Sequence, residues 1–256
     1  YAEIDQTDGL QHGILGNARP PAGRYPIKHR GRIFLVVDRK LRFSKNIEEI
    51  STGSTWEIGG RWESAWPPEY EMDIPAAAHD PTGLISDGAF LYVLSKNGLF
   101  RLSGDGPLTF RPLEQIFRYI GVQSQDAIDV VYRKGAPSGA VWVTPNPWIV
   151  SSDMNTYDNL TWPLKDEMDD IPVANLGNVR VRYGNYEGYN FALIAVPQTG
   201  STIPTKLLVY NLDTIKPAVW TLPATQEITA LHYWVNPSTN LPQILWSVDD
   251  EKMYTF

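Results

Sequence analysis

The feature that most constrains this chain is a recurring pair of aromatic or β-branched runs joined by a short polar turn. Residues 90–95 and 99–102 form such a pair around Lys96-Asn97-Gly98. Asn-Gly is the strongest short-range signal for a β-hairpin, because both residues tolerate the positive φ of a type I′ turn. A chain built from such pairs is predicted to fold into antiparallel sheets.

The same form returns along the chain, in units that start roughly 40 to 60 residues apart, as expected when each four-stranded sheet is one repeat. The other pairs are 32–37 with 41–44, 140–143 with 148–151, 191–196 with 206–210 and 218–221, and 243–248 with 252–256. Preceding strands are predicted over 82–86, 127–132, 179–183 and 228–234. We therefore predict an all-β, β-propeller-like fold of about five or six blades, as a single domain over residues 1–256.

Helix is predicted to be scarce. Residues 112–119 are the best helix candidate, but the segment is short enough to be a loop or a strand instead. Two long segments, 46–78 and 153–178, show little periodicity. Long loops in a compact domain are uncommon unless they bind something or pack in an assembly. We therefore expect contacts with partners in these two segments.

The candidate partner-contact residues are large aromatic and acidic side chains within those segments. Large, rigid aromatic side chains dominate interface energies and can also stack on sugars. The alternative is that the rings fold back and fill the core of the domain itself. The candidates are Trp56, Trp62, Trp66, Tyr70, Asp166, Glu167, Asp169 and Asp170.

Composition shows that the chain can fold and narrows the kinds of partner and chemistry that it can have. A hydrophobic fraction of 43% predicts a chain that folds, and a net charge of −7 opposes the attraction to phosphates that nucleic-acid binding needs. No apolar run approaches the roughly 18 residues of a membrane span, so no membrane insertion is expected. With no cysteine, disulfides and thiolate chemistry are excluded. A chain that begins at Tyr1 is also compatible with the ordered part of a longer protein.

The sequence carries no catalytic or metal-binding signature. The histidines His12, His29, His79 and His232 are dispersed without metal-ligand spacing, and the G-x-S-x-G string of serine hydrolases is absent. We therefore predict no enzyme activity, no cofactor and no metal. One alternative is calcium held by the acidic runs 166–170 or 249–251, because carboxylates in turns are hard ligands. Another is a glycosidase-like turn at 156–162, which is one residue short of the S-x-D-x-G-x-T-W pattern.

Several short strings resemble propeller-like tail proteins of tailed bacteriophages, including tail-tube and nozzle components of short-tailed phages. The strings are Gly31–Leu35, Leu41–Lys45, Ile85–Gly88, Leu91–Leu94, Gly98–Leu102 and Leu207–Leu212, together with Trp56, Gly104 and Trp220. They are spread over residues 30–250. In that family such segments form propeller blades, and the proteins build the distal tail, often as ring-shaped oligomers through which DNA passes. Nozzle proteins are usually longer, so this chain is expected to be one portion or a smaller relative.

The resemblance implies a structural component of a bacteriophage virion tail, forming a rigid ring or nozzle segment through contacts between subunits. It implies other virion tail proteins and further copies of the chain as partners, and a location in the virion after assembly in the host cytoplasm. The alternative is a carbohydrate-binding or carbohydrate-cleaving propeller protein, suggested by the aromatic loop and the carboxylates. A propeller that binds proteins or glycans without turnover shares the same sequence features.

Overall fold

The computed structural model describes residues 21–46, 66, 69–132, 139–186, 188–221, 227–235, 242–248 and 253–255. Within these residues nineteen strands form five sheets, and strands that follow one another in sequence are neighbours in the sheet. The first two sheets contain β1 (Arg24–His29), β2 (Arg32–Val37), β3 (Lys40–Phe43) and β4 (Glu71–Asp73), then β5 (Pro81–Ser86), β6 (Leu91–Ser95), β7 (Gly98–Leu102) and β8 (Glu114–Arg118).

The third and fourth sheets also have four strands each, and the fifth has three. They contain β9 (Ile128–Val131), β10 (Gly139–Val143), β11 (Ile149–Ser152) and β12 (Tyr157–Asn159), then β13 (Arg180–Tyr186), β14 (Tyr189–Val196), β15 (Lys206–Asn211) and β16 (Lys216–Thr221), then β17 (Ile228–Val235), β18 (Pro242–Val248) and β19 (Met253–Thr255). In these three sheets every pairing is antiparallel.

This architecture confirms the predicted all-β, propeller-like fold class, with five sheets in the described part of the chain. Each predicted hairpin pair and each predicted preceding strand coincides with observed strands to within a few residues. The first strands of consecutive sheets also contact one another, β1 with β5 and β13 with both β9 and β17. Neighbouring blades of a propeller meet in this way.

Two compact units account for the packing. One takes in the residues up to Val93 together with Phe100–Gln115, and the other takes in Leu94–Leu99 and the residues from Ile116 onward. In the first unit the core is built around Phe34, Leu41 and Phe100. In the second unit the largest cluster joins residues of β10, β13, β14 and β15 with residues of the 160–176 segment. The prediction of a single domain over 1–256 stays a prediction.

Helical structure is sparse in the described residues, as expected. The helices are α1 (Lys165–Asp169) and four 3₁₀ helices, Ala76–Ala78, Gln125–Ala127, Trp162–Leu164 and Val173–Asn178. The helix candidate at 112–119 instead contains strand β8, whose Phe117 packs 5.9 Å from Trp142 between ring centroids. The segment 153–178 is not an irregular loop, because Leu164, Met168 and Ile171 anchor its short helices in the core.

The hairpin of β6 and β7 forms where the Asn-Gly pair predicts it, but its turn differs from the expected type I′. In the described segment 91–102 the two loop residues are Lys96 and Asn97, and neither has a positive φ. The segment 119–122 fixes the loop instead, because the Tyr119 N–H donates to the Asn97 carbonyl (2.9 Å) and the Val122 N–H to the Ser95 carbonyl (2.8 Å).

Gly121 is the residue that allows this close approach. A Cβ on Gly121 would lie 2.2 Å from the carbonyl oxygens of Ser95 and Lys96, so Gly121→Ala is expected to lower the free energy of unfolding by about 1–3 kcal/mol through overpacking. Urea unfolding followed by circular dichroism measures this loss. The matched control is Gly177→Ala, whose Cβ would meet nothing within 4 Å. Equal stability of the two variants would contradict the packing at Gly121.

Candidate functional site

A pocket of about 550 Å³ lies between strand β9 and the hairpin formed by β13 and β14. Among the described residues, its walls combine one carboxylate, two tyrosine side chains and two amide side chains. The lining residues are Asp129, Val130, Tyr132, Tyr183, Asn185, Gly188 and Asn190. A pocket of this size, with a few convergent polar groups among apolar surface, has the properties of a small-molecule binding site.

The carboxylate of Asp129 is held in place by backbone donors. The Val130 N–H donates to Oδ1 (2.9 Å) and the Tyr183 N–H donates to Oδ2 (2.8 Å). Burial raises the pKa of Asp129 above its usual range, and these hydrogen bonds together with the charges of Arg182 and His232 oppose that rise. Asp129 is thus a desolvated acceptor whose two oxygens have fixed positions.

The hairpin places the other polar groups opposite one another. Antiparallel pairing sets Asn185 opposite Asn190 and Tyr186 opposite Tyr189, around a turn in which Gly188 has a φ of +85°. Because alternate residues of a strand share a face, Tyr183 and Asn185 lie on the same side of β13. The positive φ at the turn suits glycine, which has no Cβ to clash.

A hydrogen-bond network fixes these side chains. The Tyr183 hydroxyl lies 2.7 Å from the Tyr132 carbonyl oxygen and 2.5 Å from Asn190 Oδ1, so its hydrogen has two alternative acceptors. Asn185 Nδ2 also donates to Asn190 Oδ1 (3.2 Å). Asp213 accepts from the backbone N–H and from Nδ2 of Asn190, at 2.7 and 2.8 Å. The pocket is therefore pre-organised in the protein alone.

Two of the aromatic residues predicted to contact partners, Trp66 and Tyr70, pack within the protein. Trp66 is 6% exposed and packs with Leu35, so most of its ring is turned to the protein interior. Tyr70 stacks on Phe43, with ring centroids 5.1 Å apart. Trp56 and Trp62 lie outside the described residues. Their role in partner contacts stays a prediction.

The acidic candidates lie on or next to helix α1, and three of them already have partners in the protein. Glu167 pairs with Lys206, Asp169 pairs with Lys165, and Asp170 accepts from the Thr199 hydroxyl at 2.9 Å. Lys206 is only 9% exposed, so its ion pair with Glu167 holds α1 on strand β15.

The acidic run at 166–170 forms no metal site with the other described residues. No group of three or more His, Asp or Glu side chains in the described ranges is arranged to hold a metal ion. The acidic run at 249–251 lies outside those ranges.

An exposed apolar surface lies beside α1, and sequence reasoning missed it. Trp162 is 82% exposed and Val219, on the outer strand β16, is 38% exposed. Both border a shallow depression of about 180 Å³ that also includes Lys165, Asp166 and Glu167. We call the patch formed by Trp162 and Val219 the β16 surface. The sequence analysis considered Trp162 only as the end of the glycosidase-like turn at 156–162, and its interface candidates were Trp56, Trp62 and Trp66.

No protein-family model matches the chain, and no curated protein matches it in sequence. Among solved structures it is similar to the extracellular domain of the one-component system BT4673 from B. thetaiotaomicron, at 13% identity and a TM-score of 0.48, over 88% of this chain and 25% of that chain. It is also similar to YCF48 from Cyanidioschyzon merolae, at 11% identity and a TM-score of 0.44, over 92% of this chain and 68% of that one.

A third similar structure is the endo-arabinase from Bacteroides thetaiotaomicron VPI-5482, at 9% identity and a TM-score of 0.41, over 88% of this chain and 87% of that one. These neighbours are β-propeller proteins, and none is a phage tail protein. Because all three TM-scores are below 0.5, the fold class rests on the sheets themselves. Across the residues that the structure covers, no helix combines the length and the apolar character that crossing a bilayer requires.

Proposed function

We propose that this chain is a structural component of a bacteriophage virion tail, in which it forms a rigid ring or nozzle segment through contacts between subunits. The short strings that resemble tail proteins support this proposal, and so does a fold made of successive stiff sheets. Its partners are further copies of the chain and other tail proteins, and its place is the assembled virion.

The β16 surface is the observation that carries the proposal. A tryptophan that is 82% exposed contributes little to the stability of its own subunit, whereas buried Trp side chains are among the strongest contributors at interfaces. Asp166 and Lys165 border the same depression, which matches the usual arrangement of an apolar centre with a polar rim. The β16 surface is therefore suited to bind another subunit.

The test is the oligomeric state of the purified chain. We expect light scattering coupled to gel filtration to detect an oligomer, and negative-stain electron microscopy to reveal rings. Trp162→Ala is expected to raise the dissociation constant about tenfold or more, as loss of an interface hot spot does. The control is Leu108→Ala, because Leu108 is fully exposed and does not line the depression beside Trp162. A strict monomer throughout the micromolar range would contradict the proposal.

The Asp129 pocket favours a second candidate function, a carbohydrate-binding or carbohydrate-cleaving propeller protein. The pocket combines a tyrosine ring with carboxylate and amide groups, and sugars present both apolar faces and hydroxyl groups. The two functions are compatible in one protein, because the pocket and the β16 surface share no lining residue.

A further inference from the structure

We propose that the Asp129 pocket binds the guanidinium group of an arginine side chain. This inference goes beyond the proposed function, because it does not require the β16 surface. It also gives the pocket an occupant other than the sugar of the second candidate function. Three properties of the lining support it: a carboxylate that can accept a forked donor, an exposed aromatic ring, and an amide oxygen that can accept a further hydrogen bond.

The Asp129 carboxylate has the geometry that a guanidinium group requires. Among the described residues each of its oxygens accepts one hydrogen bond, Oδ1 from the Val130 N–H and Oδ2 from the Tyr183 N–H. A carboxylate oxygen has two lone pairs, so each oxygen can accept one more donor. A guanidinium group binds both oxygens of a carboxylate at once through parallel N–H groups, whereas a hydroxyl group donates a single hydrogen. The carboxylate is therefore better matched to the guanidinium fork.

The electrostatic environment of Asp129 favours a cation. Burial raises the pKa of this carboxyl above its usual range, although two backbone hydrogen bonds and the charges of Arg182 and His232 oppose the rise. The protein alone therefore does not fully compensate the negative charge of Asp129. A guanidinium group in the pocket supplies this compensation, and charge-assisted hydrogen bonds are roughly twice as strong as neutral ones.

Arg182 does not itself occupy the place of the ligand. It lies on the opposite face of β13 from Tyr183, because alternate residues of a strand share a face. Its guanidinium group donates to Asp126 Oδ1 at 3.1 Å and to the Val181 carbonyl at 2.7 Å, and Arg182 is not a lining residue of the pocket. The pocket side of Asp129 is therefore not the side on which Arg182 is bound.

The other lining groups suit a cation that only donates hydrogen bonds. Tyr132 is 56% exposed at the pocket wall, and a guanidinium plane stacks on the face of such a ring. Asn185 donates one N–H to Asn190 Oδ1, and no donor to Asn185 Oδ1 is found within the described residues, so this oxygen can accept from the ligand. Residues 133–138 and 187 lie outside the described residues, and recognition is assigned to the described lining alone.

The size of the pocket admits two sources of the guanidinium group. A volume of about 550 Å³ is within the usual range for small-molecule sites, so the methylene stem of arginine and part of its backbone fit with the charged group. The ligand is either free arginine or an arginine residue on the surface of a partner protein.

Isothermal titration calorimetry of the full chain at about pH 8, where histidine is ordinarily uncharged, tests the inference. The main probe is N-acetyl-arginine-methylamide, which presents the side chain as a protein does. The matching citrulline derivative has the same shape with an uncharged urea group, and the matching lysine derivative has a charge without a fork. We expect saturable binding of the arginine probe and a dissociation constant about tenfold or more higher for each of the other two.

Free arginine distinguishes the two sources. Its charged α-amino and α-carboxylate groups are absent from the capped probe. Tighter binding of the capped probe would support an arginine residue of a partner protein, and tighter binding of free arginine would support a small-molecule ligand. Either result supports a guanidinium site.

Four variants locate the binding. Asp129→Asn removes the charge and is expected to weaken binding of the arginine probe about tenfold or more. Tyr132→Ala removes the ring and is expected to weaken it about threefold or more, whereas Tyr132→Phe keeps the ring and should preserve binding. Asp158→Asn, on the exposed strand β12, makes the same chemical change outside the pocket and should also preserve binding. Circular dichroism verifies folding, and the two Tyr132 variants keep the test valid if Asp129→Asn does not fold.

Several outcomes would overturn the inference. Equal binding of the arginine and citrulline probes would mean that the charge is not recognised, and equal or tighter binding of the lysine probe would mean that the fork is not recognised. No saturable binding of the arginine probe up to about 10 mM, or equal binding by the native chain, Asp129→Asn and Tyr132→Ala, would also overturn it.

Methyl glucoside is titrated in parallel, because it tests the second candidate function at the same pocket. Binding of this sugar in place of the arginine probe would overturn the inference and favour the carbohydrate function. None of these titrations depends on the oligomeric state of the chain, so their failure and the failure of the proposed role of the β16 surface are separate results.

Discussion

Replacing Trp142 by alanine is expected to lower the free energy of unfolding by about 3–5 kcal/mol. Trp142 is fully buried on strand β10, between Val150 on one neighbouring strand and Ile128 on the other. Its ring packs against Phe117 of β8, so its removal leaves a large cavity at a point where several strands meet. Typical domains are stable by about 5–15 kcal/mol, so the loss is a large part of the total. Urea unfolding followed by far-ultraviolet circular dichroism measures it without depending on tryptophan fluorescence.

Trp142→Phe separates ring packing from hydrogen bonding at the same position. The indole Nε1 of Trp142 is buried and has no hydrogen-bond partner among the described residues. An unpaired buried donor costs about 1–3 kcal/mol. Phenylalanine keeps an aromatic ring and removes that donor, so the variant is expected to lose much less stability than Trp142→Ala. If both variants lost the same amount, the indole N–H would have a partner in the folded protein and the packing argument would fail.

The inner strands of each sheet were predictable from the sequence because burial on both faces requires continuous apolar runs. Residues 91–95 and 140–143 are buried throughout, and their aromatic and β-branched runs indicate strands directly. The outer strands β4 and β12 gave no such signal. Strand β12 is exposed along its length and β4 has no buried residue, so no hydrophobic pattern marks either strand.

Helix α1 and its flanking helical turns could have been predicted. Leu164, Met168 and Ile171 are buried and fall at i, i+4 and i+7, which is the spacing of one helix face. The sequence analysis instead interpreted the acidic residues between them as partner contacts or calcium ligands. In the folded chain Glu167 forms an ion pair with Lys206, and this pair stabilises the packing of α1 against β15.

The Asp129 pocket could not be predicted from local sequence patterns. The hydrogen bond from the Tyr183 N–H to Asp129 joins residues 54 positions apart. No spacing rule pairs a single carboxylate with a hairpin at that distance along the chain, because the contact depends on how consecutive sheets pack. The one local signal was the turn at Gly188, flanked by tyrosine and asparagine residues that strand pairing brings together.

A second large effect is expected from His29, whose titration should make stability depend on pH. His29 is 2% exposed, and its Nδ1 lies 2.7 Å from the Ser86 hydroxyl oxygen. The ring of Phe34 packs edge-on against the imidazole, with the two ring centroids 5.9 Å apart. Burial, and secondarily the charge of Arg30, lowers the pKa of His29 from 6.5 to about 4, while Asp87 opposes the change. The folded protein therefore holds the neutral imidazole.

The direction of the pH effect follows from that lowered pKa. The unfolded chain binds a proton at His29 below pH 6.5, whereas the folded chain resists protonation until about pH 4. The stabilisation is complete above pH 6.5 and is lost as the pH falls toward 4, by about 3 kcal/mol for a shift of this size. Urea unfolding at steps between pH 7 and pH 4 measures the loss, which other titrating groups also affect.

Comparison with His29→Gln isolates the contribution of the imidazole. Glutamine is neutral at every pH and retains groups that can bond to Ser86, so the difference in stability between the native chain and the variant should shift by about 3 kcal/mol across this range. His79→Gln makes the same substitution at an exposed position and is the control for the chemical change itself. Parallel profiles for the native chain and His29→Gln would mean that His29 is solvated, and the packing of Phe34 and Ser86 around it would have to be rejected.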